Sequence, residues 1–169
     1  MSNTDTTKLT KLGLPHIQSL DDLSAAIGVS KYTLYQLSHH SDKYYKTYEV
    51  AKKSGGKRTI SQPARKLKGL QSWILFTILN KMQVSPSCMG FRKGSSTLDN
   101  ATPHVGAGTI LNMDLQNFFP TVTAKQVFSI FRRIGFNDLI SNVFTNICTC
   151  DGRLPQGSPC SPYLANLAT

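Results

Sequence analysis

Residues 109–122, TILNMDLQNFFPTV, set a single carboxylate among apolar neighbours. The alternation predicts a strand. Leu111, Met113 and Leu115 face one way, toward a core, and Asn112 and Asp114 face the other. Pro120 ends the run. A carboxylate at a strand end can ligate Mg²⁺, a hard ion that takes oxygen ligands. A lone Asp in such a place is more often a local hydrogen-bond acceptor. The flanking sequence decides between these readings.

Downstream, Thr123 is positioned to cap a helix with Val127, Ile130, Phe131 and Ile134 on one side, stopped by Gly135. A second helix carries Leu139, Ile140, Val143, Phe144 and Ile147, and the turn Cys150-Asp151-Gly152-Arg153 follows. Residues 154–166, LPQGSPCSPYLAN, read as a loop running into a helix.

Upstream, residues 45–63, YKTYEVAKKSGGKRTISQP, predict a β-hairpin. Tyr45 to Ala51 is rich in β-formers, Ser54-Gly55-Gly56 is the turn, and a second extended run ends at Pro63. Lys52, Lys53, Lys57 and Arg58 group at the tip, a placement suited to a phosphate chain. Exposed hairpins also carry lysines simply to block edge pairing. From Arg65 to Met82, apolar residues at three- and four-residue spacing predict an amphipathic helix. Residues 84–97 and 100–108 read as connections, and residues 1–18 as a loose polar lead-in. Between them, LSAAIGVSKYTLYQL (23–37) has a helix–Gly turn–helix pattern, with Ser19 and Ser30 as caps. That pattern fits either a DNA-reading module or, more commonly, a plain helical pair packed on its neighbour.

Net charge is +10 and is concentrated. Residues 43–93 hold twelve Lys or Arg against one acid, Glu49, a local net of +11. This is the footprint of a polyanionic partner. Tyr44, Tyr45, Tyr48, Trp73 and Phe91 lie among these charges, where aromatics can stack on bases. With 40% hydrophobic and 17% charged residues, disorder throughout is excluded. No apolar run approaches the roughly 18 residues that span a bilayer. The N-terminus lacks the apolar core of a signal peptide. A cytoplasmic protein without a membrane partner is expected. Cys148 and Cys150 are too close for a zinc knuckle, so Cys88, Cys148, Cys150 and Cys160 read as buried free thiols.

Three segments in this order resemble the fingers and palm of a reverse transcriptase. GGKRTISQP (55–63) is similar to the fingers motif that grips the incoming triphosphate. LNMDLQNFFPTV (111–122) is similar to the palm strand with the first catalytic aspartate. LPQGSPCSPYLAN (154–166), the most specific, is similar to the Leu-Pro-Gln-Gly…Ser-Pro motif. Within that family the chain most resembles bacterial retron enzymes, through GFRKGSSTLDNATPHVG (90–106) and its Asn100-Ala101-x-x-His104 element. A group II intron-like enzyme is the neighbouring alternative. A small nucleic-acid-binding regulator using the helical pair is the non-enzymatic one.

The resemblance implies an α+β right-hand polymerase fold: an N-terminal helical pair (1–43), a fingers region (44–105) and an incomplete palm of antiparallel strands (106–169). It makes Asp114 the catalytic metal ligand, with the Leu115 carbonyl, for two Mg²⁺ ions. Lys57 and Arg58 would hold the triphosphate and Phe119 would crowd a ribose 2′-hydroxyl. Gln156 and Gly157 would flank the nascent base pair, and Lys52, Lys53, Arg92 and Lys93 would contact nucleic acid. The implied partners are a structured non-coding RNA as template and primer, nascent DNA and deoxynucleoside triphosphates. An effector protein in anti-phage defence is a further implied partner. The family's remaining aspartates lie in a Tyr-Ala-Asp-Asp hairpin that these residues do not contain. The expectation is therefore an N-terminal part of a retron-type enzyme, inactive alone.

Overall fold

A computed structural model describes residues 3–52, 55–92 and 94–168. Its centre is α8 (Asp138–Cys148), which buries Ile140, Val143, Phe144 and Ile147. Against it pack α7 (Ala124–Ile134), α3 (Lys31–His39) and α4 (Arg65–Thr77). Phe131 and Phe136 both meet Phe144 at 5.2 Å between ring centroids. α7 starts as its sequence dictates. Thr123 accepts from the Gln126 N–H, while the Gln126 side chain accepts from the Thr123 N–H, closing a capping box. Gly135, with φ +126°, ends it.

The expected helical pair forms as α2 (Leu20–Ile27) and α3, capped by Ser19 and Ser30 and separated by a left-handed Gly28. Both faces of the capping box at Ser19 engage Asp22, whose carboxyl is held below the usual range by the Gln18 N–H, then the Ser19 side chain and N–H. The lead-in differs from its polar reading. It contains α1 (Thr6–Lys11) and buries Leu9, Leu14 and Ile17. The Asp5 N–H donates to the Gly135 carbonyl at 2.8 Å, and the Asn137 amide to the Gln18 carbonyl at 2.8 Å. A few apolar residues separated by polar ones suffice here, because they join the core cluster that α7 and α8 also build.

The hairpin forms as β1 (Tyr45–Ala51) paired antiparallel with β2 (Lys57–Pro63), Tyr48 opposite Ile60. Lys53 and Ser54 of its tip lie outside the described residues. Gln71 ties the hairpin to the body. Fully buried on α4, its amide nitrogen donates to the Tyr45 hydroxyl at 2.6 Å and to the Ile147 carbonyl at 2.8 Å. Burial, with the Cys148 thiol nearby, pushes the Tyr45 phenol well above its usual value, so it stays protonated. Gln71→Leu keeps the volume but orphans both acceptors. It is expected to cost about 1–3 kcal/mol, read as a lower urea midpoint.

β1 and β2 are the only strands among the described residues. The strand expected over 109–119 is absent, and Leu111, Met113 and Leu115 are 79%, 81% and 68% exposed rather than in the core. The physical reason is pairing. An extended segment is held by ladder hydrogen bonds to a neighbour, and no described residue offers one. After α5 (Thr97–Ala101), the chain from Val105 to Leu115 instead runs as an exposed apolar segment. The short α6 (Phe118–Thr121) then leads to the capped start of α7, and α9 (Ser161–Ala168) packs on α7. Among the described residues no helix is long and apolar enough to cross a membrane.

Candidate active-site cleft

Strand alternation sorts the hairpin cations. Arg58 and Ile60 share one face of β2 and line a cleft of about 510 Å³. Lys57 lies on the other face, where it pairs with Glu49 at 2.7 Å across the strands. Lys57 is thus not brought to the cleft, although the sequence reading grouped it with Arg58. Lys52, at the end of β1, does line the cleft.

The opposite wall comes from the segment around Asp114. Asp114 and Leu115 line the cleft, followed by a left-handed Asn117 (φ +52°) that turns the chain into α6 and presents Phe118 and Phe119. This wall is braced from behind. The Arg153 guanidinium donates to the Pro120 carbonyl at 2.8 Å, the Leu154 N–H to the Val122 carbonyl at 3.0 Å, and the Ala124 N–H to the Gly152 carbonyl at 2.7 Å. The turn read at 150–153 therefore serves as the support for the Phe119 segment.

Gln156 and Gly157 form the floor. The Ser61 N–H donates to the Gln156 carbonyl at 2.7 Å, covering the free edge of β2. At Gly157, φ is +129°, and a Cβ there would sit 2.7 Å from the Ser61 carbonyl oxygen. Only glycine allows this backbone contact. The loop and the hairpin are thereby fixed to each other, 95 residues apart in sequence but sharing one hydrogen bond.

The cleft thus gathers Lys52, Arg58, Asp114, Leu115, Phe119, Gln156 and Gly157 from three separate stretches. It does not include Arg92, which lines a neighbouring cavity. Asn100 and His104 are exposed and do not line it. Lys93 lies outside the described residues. Of the aromatics read as stacking candidates, Tyr48 and Phe91 are exposed, whereas Tyr44, Tyr45 and Trp73 pack partly against the core. Ser161 and Pro162 of the Ser-Pro motif also line the cleft, as do Asn117 and Phe118, to which the sequence assigns no role. Phe118 and Asn117 adjoin the aspartate motif, so proximity in sequence was the available signal.

Asp114 is the one carboxylate lining the cleft among the described residues. A carboxylate with main-chain carbonyls is a hard oxygen donor set that fits one edge of a divalent-ion site, but it does not complete a site for two ions. The one cluster of metal-ligating side chains among the described residues is Asp42, Cys150 and Asp151, and none of them lines the cleft. There burial and then the carboxylates of Asp151 and Asp42 push the Cys150 thiol up to about 12. Cys148 and Cys160 are fully buried thiols, as expected, while Cys88 and Cys150 are only half-buried.

Residues 50–169 match the family model described as reverse transcriptase (RNA-dependent DNA polymerase). The chain belongs to the reverse transcriptase family. Its curated relatives include the retron Ec86 reverse transcriptase of Escherichia coli, 50% identical over 165 residues, covering 96% of this chain and 52% of that protein. The retron Mx65 reverse transcriptase of Myxococcus xanthus is 34% identical, covering 96% of this chain and 43% of that protein. The retron Se72 reverse transcriptase of Salmonella heidelberg (strain 579083-10) is 33% identical, covering 89% and 40%. The chain therefore spans about half the length of the curated relatives it matches. Retron enzymes as relatives agree with the retron resemblance of the sequence motifs.

Proposed function

We propose that the chain is the fingers and part of the palm of a retron-type RNA-directed DNA polymerase. The observation that carries this is the single cleft in which two cations of the hairpin face one carboxylate across an aromatic wall and a Gln-Gly floor. Divalent metal ions serve the family's chemistry, and Mg²⁺ is the ion proposed here. When bound, such ions lower the pKa of the attacking primer 3′-hydroxyl and stabilise charge on the departing pyrophosphate.

The chain's own residues divide the remaining work. Arg58, whose planar fork matches phosphate oxygens, orients the triphosphate, and Lys52, a point charge, contacts the nucleic-acid backbone. Asp114 holds the metal side, with the Leu115 carbonyl. Phe119 crowds the sugar 2′ position and so admits deoxynucleotides. Gln156 and Gly157 shape the space for the new base pair. The segments 1–43, 44–105 and 106–169 are proposed as N-terminal extension, fingers and partial palm. The exposed apolar stretch from Val105 to Leu115 fits a surface covered by the remainder of the palm.

The proposed template and primer is a structured non-coding RNA, extended into DNA. An effector partner and a role against phage belong to the same proposal, tested by asking whether loss of the gene sensitises its host to phage. RNA contact can be measured on the 169-residue chain. Each phosphate contact contributes about 0.7 to the log–log salt slope on single strands. Lys52→Ala and Arg92→Ala are each expected to make the slope shallower by about that amount. Lys57→Ala, which breaks an exposed pair with Glu49, is expected to change it less. Equal slopes for all three variants and the parent would remove the hairpin from the RNA-binding surface. Polymerase activity is tested in a chimera that joins residues 1–169 to the C-terminal half of the Escherichia coli relative.

A further inference from the structure

Phe91 is an anomaly for which the local sequence offers no account. Its φ is +58°, a left-handed conformation that costs free energy for any residue with a Cβ and is rare for a bulky aromatic. The side chain is 68% exposed, so burial does not offset that cost. A glycine precedes it at position 90 and an arginine follows at 92, yet the aromatic occupies the strained position itself. An outlier of this kind points toward function when the surroundings hold it in place.

The surroundings do hold it. The Asn166 amide donates to the Gly90 carbonyl at 2.8 Å, and the Tyr163 hydroxyl donates to the Met82 carbonyl at 2.7 Å. Both donors sit on α9, directly after the Gln156–Gly157 loop. The helix that follows the cleft-floor loop therefore holds the residue next to Phe91 through Asn166.

The ring's position shows what the strain achieves. Phe91 lines the cleft and meets Phe119 at 6.4 Å between centroids and 62° between planes, the edge-on geometry that aromatic pairs favour. Phe118 lies against the same ring at 6.1 Å. Phe119 is thus flanked by a neighbour on its own helix and by a residue 28 positions earlier. Phe91 also lines the adjoining cavity of about 370 Å³, with Phe76, Arg92 and Pro162. Phe91 and Pro162 line both spaces, so removing the Phe91 ring takes away the side chain that meets Phe119 from that side.

We infer that Phe91 is a positioning residue for sugar selection, bracing Phe119 against the incoming nucleotide. The inference rests on the reading of Phe119 as the residue that excludes the 2′-hydroxyl. The test uses the chimera with the deoxy and ribo forms of one nucleoside triphosphate, incorporated on an RNA template. Phe91→Ala is expected to lower the deoxy-over-ribo ratio of kcat/KM about tenfold, mainly through a lower KM for the ribonucleotide. The kcat for the deoxynucleotide should stay near the parent value, and Phe91→Tyr should restore the ratio. In a Phe119→Ala background, Phe91→Ala should have no further effect, because a brace has nothing left to hold. Phe91→Gly adds a control on the 169-residue chain. It relieves the positive φ, so its thermal midpoint should equal or exceed the parent's while selectivity in the chimera still falls.

An unchanged ratio in Phe91→Ala, beside a collapsed ratio in Phe119→Ala, would overturn the brace and keep the gate. An unchanged ratio in Phe119→Ala would overturn both. A Phe91→Gly chain that melts earlier than the parent would assign Phe91 a structural role and overturn the inference.

Discussion

Asp114→Asn in the chimera is expected to abolish DNA synthesis, lowering it by at least about 10²–10³-fold, the scale on which single charge-stabilising groups act in active sites. Asp114 is the one carboxylate lining the cleft among the described residues. Asparagine keeps its size but removes the negative charge that a hard cation requires. RNA affinity should be unchanged or slightly tighter, because the variant deletes a negative charge and no phosphate contact. For the same reason the 169-residue chain alone is expected to extend no primer. One carboxylate cannot hold two divalent ions against their repulsion. Primer extension on an RNA template, with chain, chimera and variant side by side, is the measurement. Robust synthesis by the variant would mean that the catalytic carboxylate lies elsewhere.

Gly157→Ala should have the second largest effect. A Cβ at this position meets the Ser61 carbonyl oxygen at 2.7 Å and the backbone is already at φ +129°. The neighbour is main chain in a paired strand, so it cannot swing aside. The Gln156–Ser61 hydrogen bond should break and the cleft floor should leave the hairpin. The cost is of order 2–4 kcal/mol, combining a strained conformation with a steric clash. In the chimera this should appear as a loss of both kcat and nucleotide affinity. On the isolated chain it should appear as a lower urea midpoint. Gly152→Ala is the matched control, since Gly152 also has positive φ (+70°) but open space around its Cβ. Its smaller effect would show that the close approach to Ser61 and the higher φ of Gly157 matter beyond ordinary left-handed strain. Equal effects of the two substitutions would show that the contact with Ser61 does not hold the cleft together.

Much of this was legible in the residues. The helix caps at Ser19, Ser30 and Thr123 and the stops at Gly28 and Gly135 are local hydrogen-bonding and φ preferences, settled within four or five residues. The hairpin from Tyr45 to Pro63 follows from β-formers on either side of a double glycine. The motifs around Asp114, Phe119 and Gln156 are contiguous stretches, so their resemblance to reverse transcriptases could be read before any contact was known. The family model that matches residues 50–169 agrees with that reading.

Tertiary structure decided what depends on a partner distant in sequence. Residues 109–119 have a strand's alternation, but a strand exists only beside another strand, and the described residues supply none there. The lead-in looks polar in isolation, and Leu9, Leu14 and Ile17 become core only because the rest of the fold, Gly135 beside Leu9 among it, covers them. Lys57 and Arg58 are adjacent and chemically alike, and the pleat of β2 sends one to Glu49 and the other to the cleft. Phe91 reads as one more aromatic among positive charges until α9 anchors its segment and sets its ring against Phe119. Local propensities and motif order therefore came from the sequence alone. Which side chains share the cleft was decided by long-range packing, since burial and pairing depend on what lies opposite, and no short window of sequence carries that information.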